Sequence, residues 1–171
     1  MKLSLRRLMA YWIDFVLLAF KLVGFQWLLY TITSGFPFDQ LNNGYLIEAW
    51  VLLSVSLPVW LYFICSEYYR RQTIGKRLLS VKVMSIEGST LTWRQALLRT
   101  FIKLLPWELT HIIILIPEPW YRLKDSSDTS FLIYIPNIII LLYIVILFVN
   151  KGEKGLHDFT AKTKVEVELK I

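Results

Sequence analysis

The first long apolar run, from about Leu8 to about Thr33, constrains this chain more than any other feature. It is long enough to cross a bilayer, for which about 20 apolar residues at about 1.5 Å each suffice. The run also carries charges. Arg7, Asp14 and Lys21 follow one another at intervals of seven. Seven residues is almost two helical turns, so the three side chains drift by only about 20° per step and form one stripe. The small Ala10 lies between the first two. Arg7 can sit at headgroup level, with Asp14 about 10 Å deeper and Lys21 about 20 Å deeper. An ionised group in hydrocarbon costs at least about 2.5–3.5 kcal/mol, so the stripe is expected to face protein or a watery cavity. Two roles fit it. In a structural role Asp14 clamps neighbouring helices and Lys21 snorkels to the far interface. In a functional role the intramembrane carboxylate exchanges a proton or a cation.

Composition agrees with a membrane setting. Of the 171 residues, 56% are apolar, well above what a soluble domain carries once glycine is allowed for. That length is expected to form one domain. The net charge of +6 could suggest nucleic acid, but the basic residues flank apolar runs, as they do beside membrane segments, so no nucleic-acid partner is expected. The single Cys65 lies inside an apolar run and supports no intrachain disulfide framework. The N-terminal run does not read as a signal peptide, because Asp14 interrupts it, it is too long, and no small-residue cleavage pattern follows.

Along the chain, residues 34–45 form a turn-rich loop whose only charge is Asp39. A second apolar run, about 45–66, holds Pro58 near its middle, which is expected to kink the helix or to free a carbonyl that neighbouring helices or Ser54 and Ser56 help satisfy, and Glu48 near the loop end, where it is expected at the interface. Between Glu67 and Lys103 the chain carries eight Lys and Arg residues against two glutamates. This contrast with 34–44 places both termini and 67–103 in the cytoplasm by the positive-inside rule. Within that segment SVKVMS alternates like a strand, EGS supplies a turn, and LTWRQALLRTF opens a helix. The third membrane segment, 98–116, contains Arg99, Lys103, Pro106, Glu108 and His111, and can either cross or enter without crossing. Crossing is preferred, because the basic tail after a further apolar run at 131–149 belongs inside and requires an even number of crossings. Residues 117–130 then form an outer loop. Lys164 to Leu169 alternates strictly, and its expected partner is the strand near Val81 to Met84. The fold class is therefore an all-α membrane protein. A four-helix transmembrane bundle (8–33, 45–66, 98–116, 131–149) is joined by a small cytoplasmic β element (80–85 and 164–169).

Three stretches together resemble the RDD family of small bacterial membrane proteins. In RRLMAYWID, Arg7, Ala10 and Asp14 match the family's arginine, small residue and first aspartate. QTIGKRLLSVKV at 72–83 is followed by the EG turn and RQALLRTF, and in GLHDF Asp158 matches the second aspartate. The resemblance covers essentially the whole chain, and Lys21 stands outside its pattern. It implies a multi-pass protein of the bacterial inner membrane. Transport of ions or small solutes has been suggested for such proteins, and no established reaction is implied.

On physical grounds Arg7 and Asp158 should lie at similar depth, close enough for a charge-assisted pair. The expected polar cluster, an ion-binding candidate, comprises Arg7, Asp14, Asp158 and, farther out, Lys21. Gly75 is expected to permit a tight turn at the membrane surface, with Lys76 and Arg77 near the headgroups. The GxxxxGK[ST] spacing of a phosphate loop is absent. Glu108 and His111 share a helix face, but no second such pair exists, so no metal site is expected. Nucleophile arrangements lack a base and an orienting acid, so neither catalysis nor a cofactor is expected. The leading expectation is transport of a small cation or other small solute, with the bilayer as partner and a homo-oligomer to widen the narrow interior. The alternatives are a non-catalytic scaffold or accessory subunit and, third, a lipid-active enzyme.

Overall fold

The computed structural model describes residues 2–88, 90–116, 119 and 130–168. Helix α1 runs from Leu3 to Thr33, starting ahead of the apolar run, and stops where Ser34 turns left-handed and returns its N–H to Tyr30 O. Its buried positions are Ser4, Arg7, Ala10 and Asp14, spaced to share one face. Farther along, the helix exposes Phe20, Val23, Trp27 and Ile32, a composition suited to lipid.

The second apolar run forms one continuous rod: α2 (Gly44–Val51), a π turn (Leu52–Ser56) and α3 (Leu57–Arg70). Asn43 caps its start by accepting from Leu46 N–H at 2.9 Å. The expected disturbance at Pro58 takes the form of this widened turn, which ends at Ser56, two residues before the proline that has no N–H to give. A short helix α4 (Ile74–Leu78) then leads into β1 (Val81–Ser85). Helix α5 (Trp93–Leu115) opens with a Thr92–Gln95 capping box. Pro106 inside it cannot donate to Ile102 O, and Tyr143 of α6 (Tyr134–Val149) donates its hydroxyl there instead, at 2.5 Å. Helix α7 (Leu156–Thr160) and β2 (Thr163–Val167) close the described chain.

Among the described residues, three helical stretches are long and apolar enough to cross a membrane: Leu3–Thr33, Gly44–Arg70 and Phe131–Val149. The fourth expected crossing lies within α5. Its 23 residues are long enough, but Arg94, Arg99, Lys103 and Glu108 along it keep it out of that apolar set. Most of the expected outer loop, and Leu169 at the end of the expected second strand, fall outside the described residues.

The two strands pair antiparallel, with Val81 opposite Val167, Val83 opposite Val165 and Ser85 opposite Thr163. Val81, Val83 and Val165 are buried with Ile64, Leu91 and Ala96, while Lys82 faces Glu166 on the other side. An isolated two-stranded sheet is marginal, and this one rests on α3 and α5. The sheet, α4, α7 and the start of α1 thus gather at one end of the helices, called here the sheet end.

Candidate functional site

The family pattern on α1 meets two different sets of partners. Asp14 is buried and takes three hydrogen bonds. Its Oδ1 accepts from the Tyr62 hydroxyl at 2.6 Å and from Gly75 N–H at 2.8 Å, and its Oδ2 accepts from the Thr73 hydroxyl at 2.5 Å. Tyr62 comes from α3, while Thr73 caps α4 by accepting from Lys76 N–H at 3.3 Å. The carboxylate therefore fastens α4 onto α1 and α3. Gly75 is needed for contact rather than for a turn: it sits in a helix, and a Cβ there would lie 2.1 Å from the backbone oxygen of Ala10. Small residues at 10 and 75 let the two backbones touch. The expected surface turn is thus a short helix in which Gly75 and Lys76 are buried and Arg77 is exposed.

Arg7 points the other way along the stripe. Its Nη2 pairs with Asp158 Oδ2 at 2.6 Å, and its Nη1 donates to Gly152 O at 2.9 Å and Glu153 O at 3.2 Å. Gly152 is held at φ 87, and a Cβ would meet Ser4 N at 2.3 Å, so conformation and contact both favour glycine. Asp158 also accepts from Gly155 N–H at 2.7 Å and pairs through Oδ1 with Arg99. Arg99 continues to Glu67 through Nε, at 2.8 Å. Lys76 and Lys103 both reach Glu67 Oε1, at 2.5 Å and 2.8 Å. One buried ionic chain thus links α1, α3, α4, α5 and α7.

Burial works against the Asp158 carboxylate, yet the Arg99 and Arg7 cations outweigh it and hold the carboxyl well below its usual range. His157 accepts from Arg7 Nη2 through Nε2 at 3.0 Å; burial, with the neighbouring cations, keeps its imidazole neutral far below the ordinary value. Burial also draws the Lys76 ammonium down to about 7, against the pull of Glu67.

Arg7 and Asp158 are therefore brought together, Asp14 is held separately by neutral donors, and Lys21 lies exposed farther along α1. Lys21 does not extend the cluster because the fully buried positions of α1 end at Asp14. Sequence reasoning missed Glu67, Arg99 and Lys103 as site residues. Arg99 and Lys103 stand four apart among apolar residues, a spacing that puts both on one helix face and could have signalled a shared acidic partner.

A second polar site lies away from the sheet end. Glu108 of α5 accepts from the Ser56 hydroxyl at 2.9 Å and Trp60 Nε1–H at 2.8 Å. It shares a cavity of about 470 Å³ with Glu48 of α2. Glu48 is only 4% exposed, so α5 covers it where an interfacial position was expected, and neither of its carboxylate oxygens has a hydrogen-bond partner. Among the described residues no group of three or more His, Cys, Asp or Glu side chains could hold a metal ion.

The sequence profile of the RDD family matches residues 3–162, which spans both halves of the ionic chain. The chain belongs to the RDD family. No curated protein and no solved structure matches it. The RDD match and the three apolar helices together make it a membrane protein.

Proposed function

We propose that this RDD family protein carries a small cation across the bacterial cytoplasmic membrane, binding it between Glu48 and Glu108. One observation carries the reading. A buried carboxylate with both oxygens unpartnered opens onto a cavity that holds a second carboxylate. In a low-dielectric interior such a pair requires a counter-charge, either a proton shared between the two or a monovalent cation. Ser56, at the end of the π turn, adds a neutral oxygen to that set, and π turns often mark functional positions in helices. In this reading α5 is the fourth crossing and the sheet end is cytoplasmic, in line with the basic residues gathered there.

Asp14 supports another reading of the same molecule. A carboxylate held by three protein donors is suited to architecture, which favours a scaffold or accessory subunit. Flux in proteoliposomes of the purified protein separates the two. Proton or sodium flux is expected in the wild type and is lost in Glu48→Gln and Glu108→Gln, with melting temperature retained. Absence of flux of either ion in the wild type favours the scaffold, and full flux in a folded double variant removes the site.

A further inference from the structure

A second cavity, of about 320 Å³, opens between α1, α5 and α6 at the sheet end. It is the more telling of the two in shape, because its ends differ in chemistry. Arg7, Lys76 and Lys103 line one end; Trp12, Phe15 and Ile144 are among the apolar groups along the rest. From Arg7 to Phe15 the wall of α1 is about 12 Å long. The Phe15 and Trp107 rings meet in a T-shaped arrangement at 5.6 Å between centroids, so the inner part of the cavity has aromatic walls.

Charge is not balanced around this cavity. Around it Arg7, Lys76 and Arg99 are buried cations and the Lys103 side chain is 9% exposed, and the buried carboxylates at this end are Asp14, Glu67 and Asp158. With Lys76 protonated, one positive charge is left unmatched in a setting where an uncompensated charge is costly. The two ammonium groups converge on a single oxygen of Glu67, and each has three donors to place. Lys103 also lies 4.1 Å from the centroid of the Phe63 ring, which lines the same cavity. An anion at this end would take the spare donors and cancel the excess charge. A free inorganic anion would leave the apolar walls uncovered, whereas an amphiphile would satisfy both ends.

We propose that this cavity binds one anionic phospholipid from the leaflet at the sheet end. The phosphodiester lies against Lys76 and Lys103, and part of an acyl chain lies along Trp12, Phe15 and Ile144. A singly charged headgroup matches the one unmatched positive charge, and basic pockets between membrane helices are suited to acidic headgroups. The site is separate from the Glu48–Glu108 pair and stands whether or not a cation is transported.

The test is native mass spectrometry of the full-length protein released from an equimolar mixture of phosphatidylglycerol and phosphatidylcholine with matched chains. One retained phosphatidylglycerol per chain is expected, favoured over phosphatidylcholine by about tenfold or more. Lys103→Gln should bring that preference close to parity. Ile144→Trp, which fills the apolar part without touching the charges, should remove the retained lipid altogether. Arg77→Gln, an exposed site, should leave both unchanged. Equal retention of the two lipids by the wild type overturns the proposal. So does retention in a folded Ile144→Trp protein, which covers the case of a Lys103 variant that fails to fold. Displacement of the lipid by millimolar inorganic phosphate would also overturn it, in favour of a free-anion site.

Discussion

At the scale of single residues, the buried acids differ in what their neighbours supply. Glu67 answers three cations at once, so Glu67→Gln strands Lys76, Lys103 and part of the Arg99 charge. Breaking a buried ion pair from one side costs about 3–5 kcal/mol, and a large drop in melting temperature in detergent is expected. Asp14→Asn is milder. The amide keeps an acceptor for Tyr62 and Gly75 but places an NH2 against the Thr73 hydroxyl, at a cost of about 1–3 kcal/mol. Under the Glu48–Glu108 reading this variant is less stable and still conducts; a stable variant without flux would move the ion site to Asp14. His157 provides a pH signature. Its folded pKa lies well below the unfolded value of about 6.5, so the unfolded chain binds more protons as pH falls through that range. Stability should therefore decline below about pH 6.5, by at most about 1.4 kcal/mol per unit for one proton. The Asp158 pair keeps its contribution until the pH falls below about 4. His157→Gln retains an acceptor for Arg7 and should flatten the slope, as read by melting temperature at pH 5 and pH 7.5. Much of this site was legible in the sequence. The interval of seven picked out Arg7 and Asp14, along with Lys21, which stays outside the site; the RDD resemblance picked out Asp158, and matched depth paired it with Arg7. The partners of Asp14 were hidden, because a tyrosine hydroxyl, a threonine hydroxyl and a glycine N–H leave no charge pattern. Glu67 and Arg99 were hidden for the opposite reason: charges beside an apolar run read as its flanks.

At the scale of elements, close contacts rather than propensity set the arrangement. Helix α4 lies against α1 only because neither Ala10 nor Gly75 interposes a large side chain. Gly75→Ala would drive a Cβ into backbone, which cannot rotate away as a side chain can, and should cost more than about 1–3 kcal/mol. Gly24→Ala is the matching control: nothing lies within 4 Å of its added Cβ, and mid-helix alanine should gain about 0.5–1 kcal/mol. Comparing the two melting temperatures separates contact from helix propensity. Pro106 and Tyr143 make a second case. Removing the hydroxyl in Tyr143→Phe leaves Ile102 O without its donor at the proline, and a loss of about 1–3 kcal/mol is expected. The strands were visible from their alternation, and the π turn was not. Pro58 announced a disturbance in the rod, but only the neighbouring backbone decides whether a helix answers a proline by bending or by widening. The same limit applies to Glu48. Near a loop it reads as interfacial, and the covering helix comes from a segment sixty residues away in the chain.

At the scale of the whole molecule, what the chain does with α5 decides its topology. Its first half is fixed at the sheet end, where Arg99 and Lys103 join the ionic chain and Gln95 donates to Ala161 O at 3.1 Å. Its second half carries Glu108 to a cavity shared with α2, whose start follows the loop containing Asp39. From the sheet end to α2 the rod of α2 and α3 covers the 27 residues from Gly44 to Arg70, about 40 Å, enough to cross the hydrocarbon. A helix that contacts both ends of that rod cannot lie flat on one surface, so α5 should traverse the bilayer despite its charges. Arg99 and Lys103 near the sheet end are paired, and Glu108 is hydrogen-bonded, which lowers the cost of such a crossing. Labelling single cysteines in a Cys65→Ala background of the full chain tests this from both sides of oriented vesicles. Asp39→Cys and Asp125→Cys should react from the outside, and Glu87→Cys from the inside. Reaction of positions 39 and 125 from opposite sides would mean that α5 turns back without crossing. The proposed cation site between Glu48 and Glu108 would then lack access from that face, so the topology experiment also bears on the proposed transport.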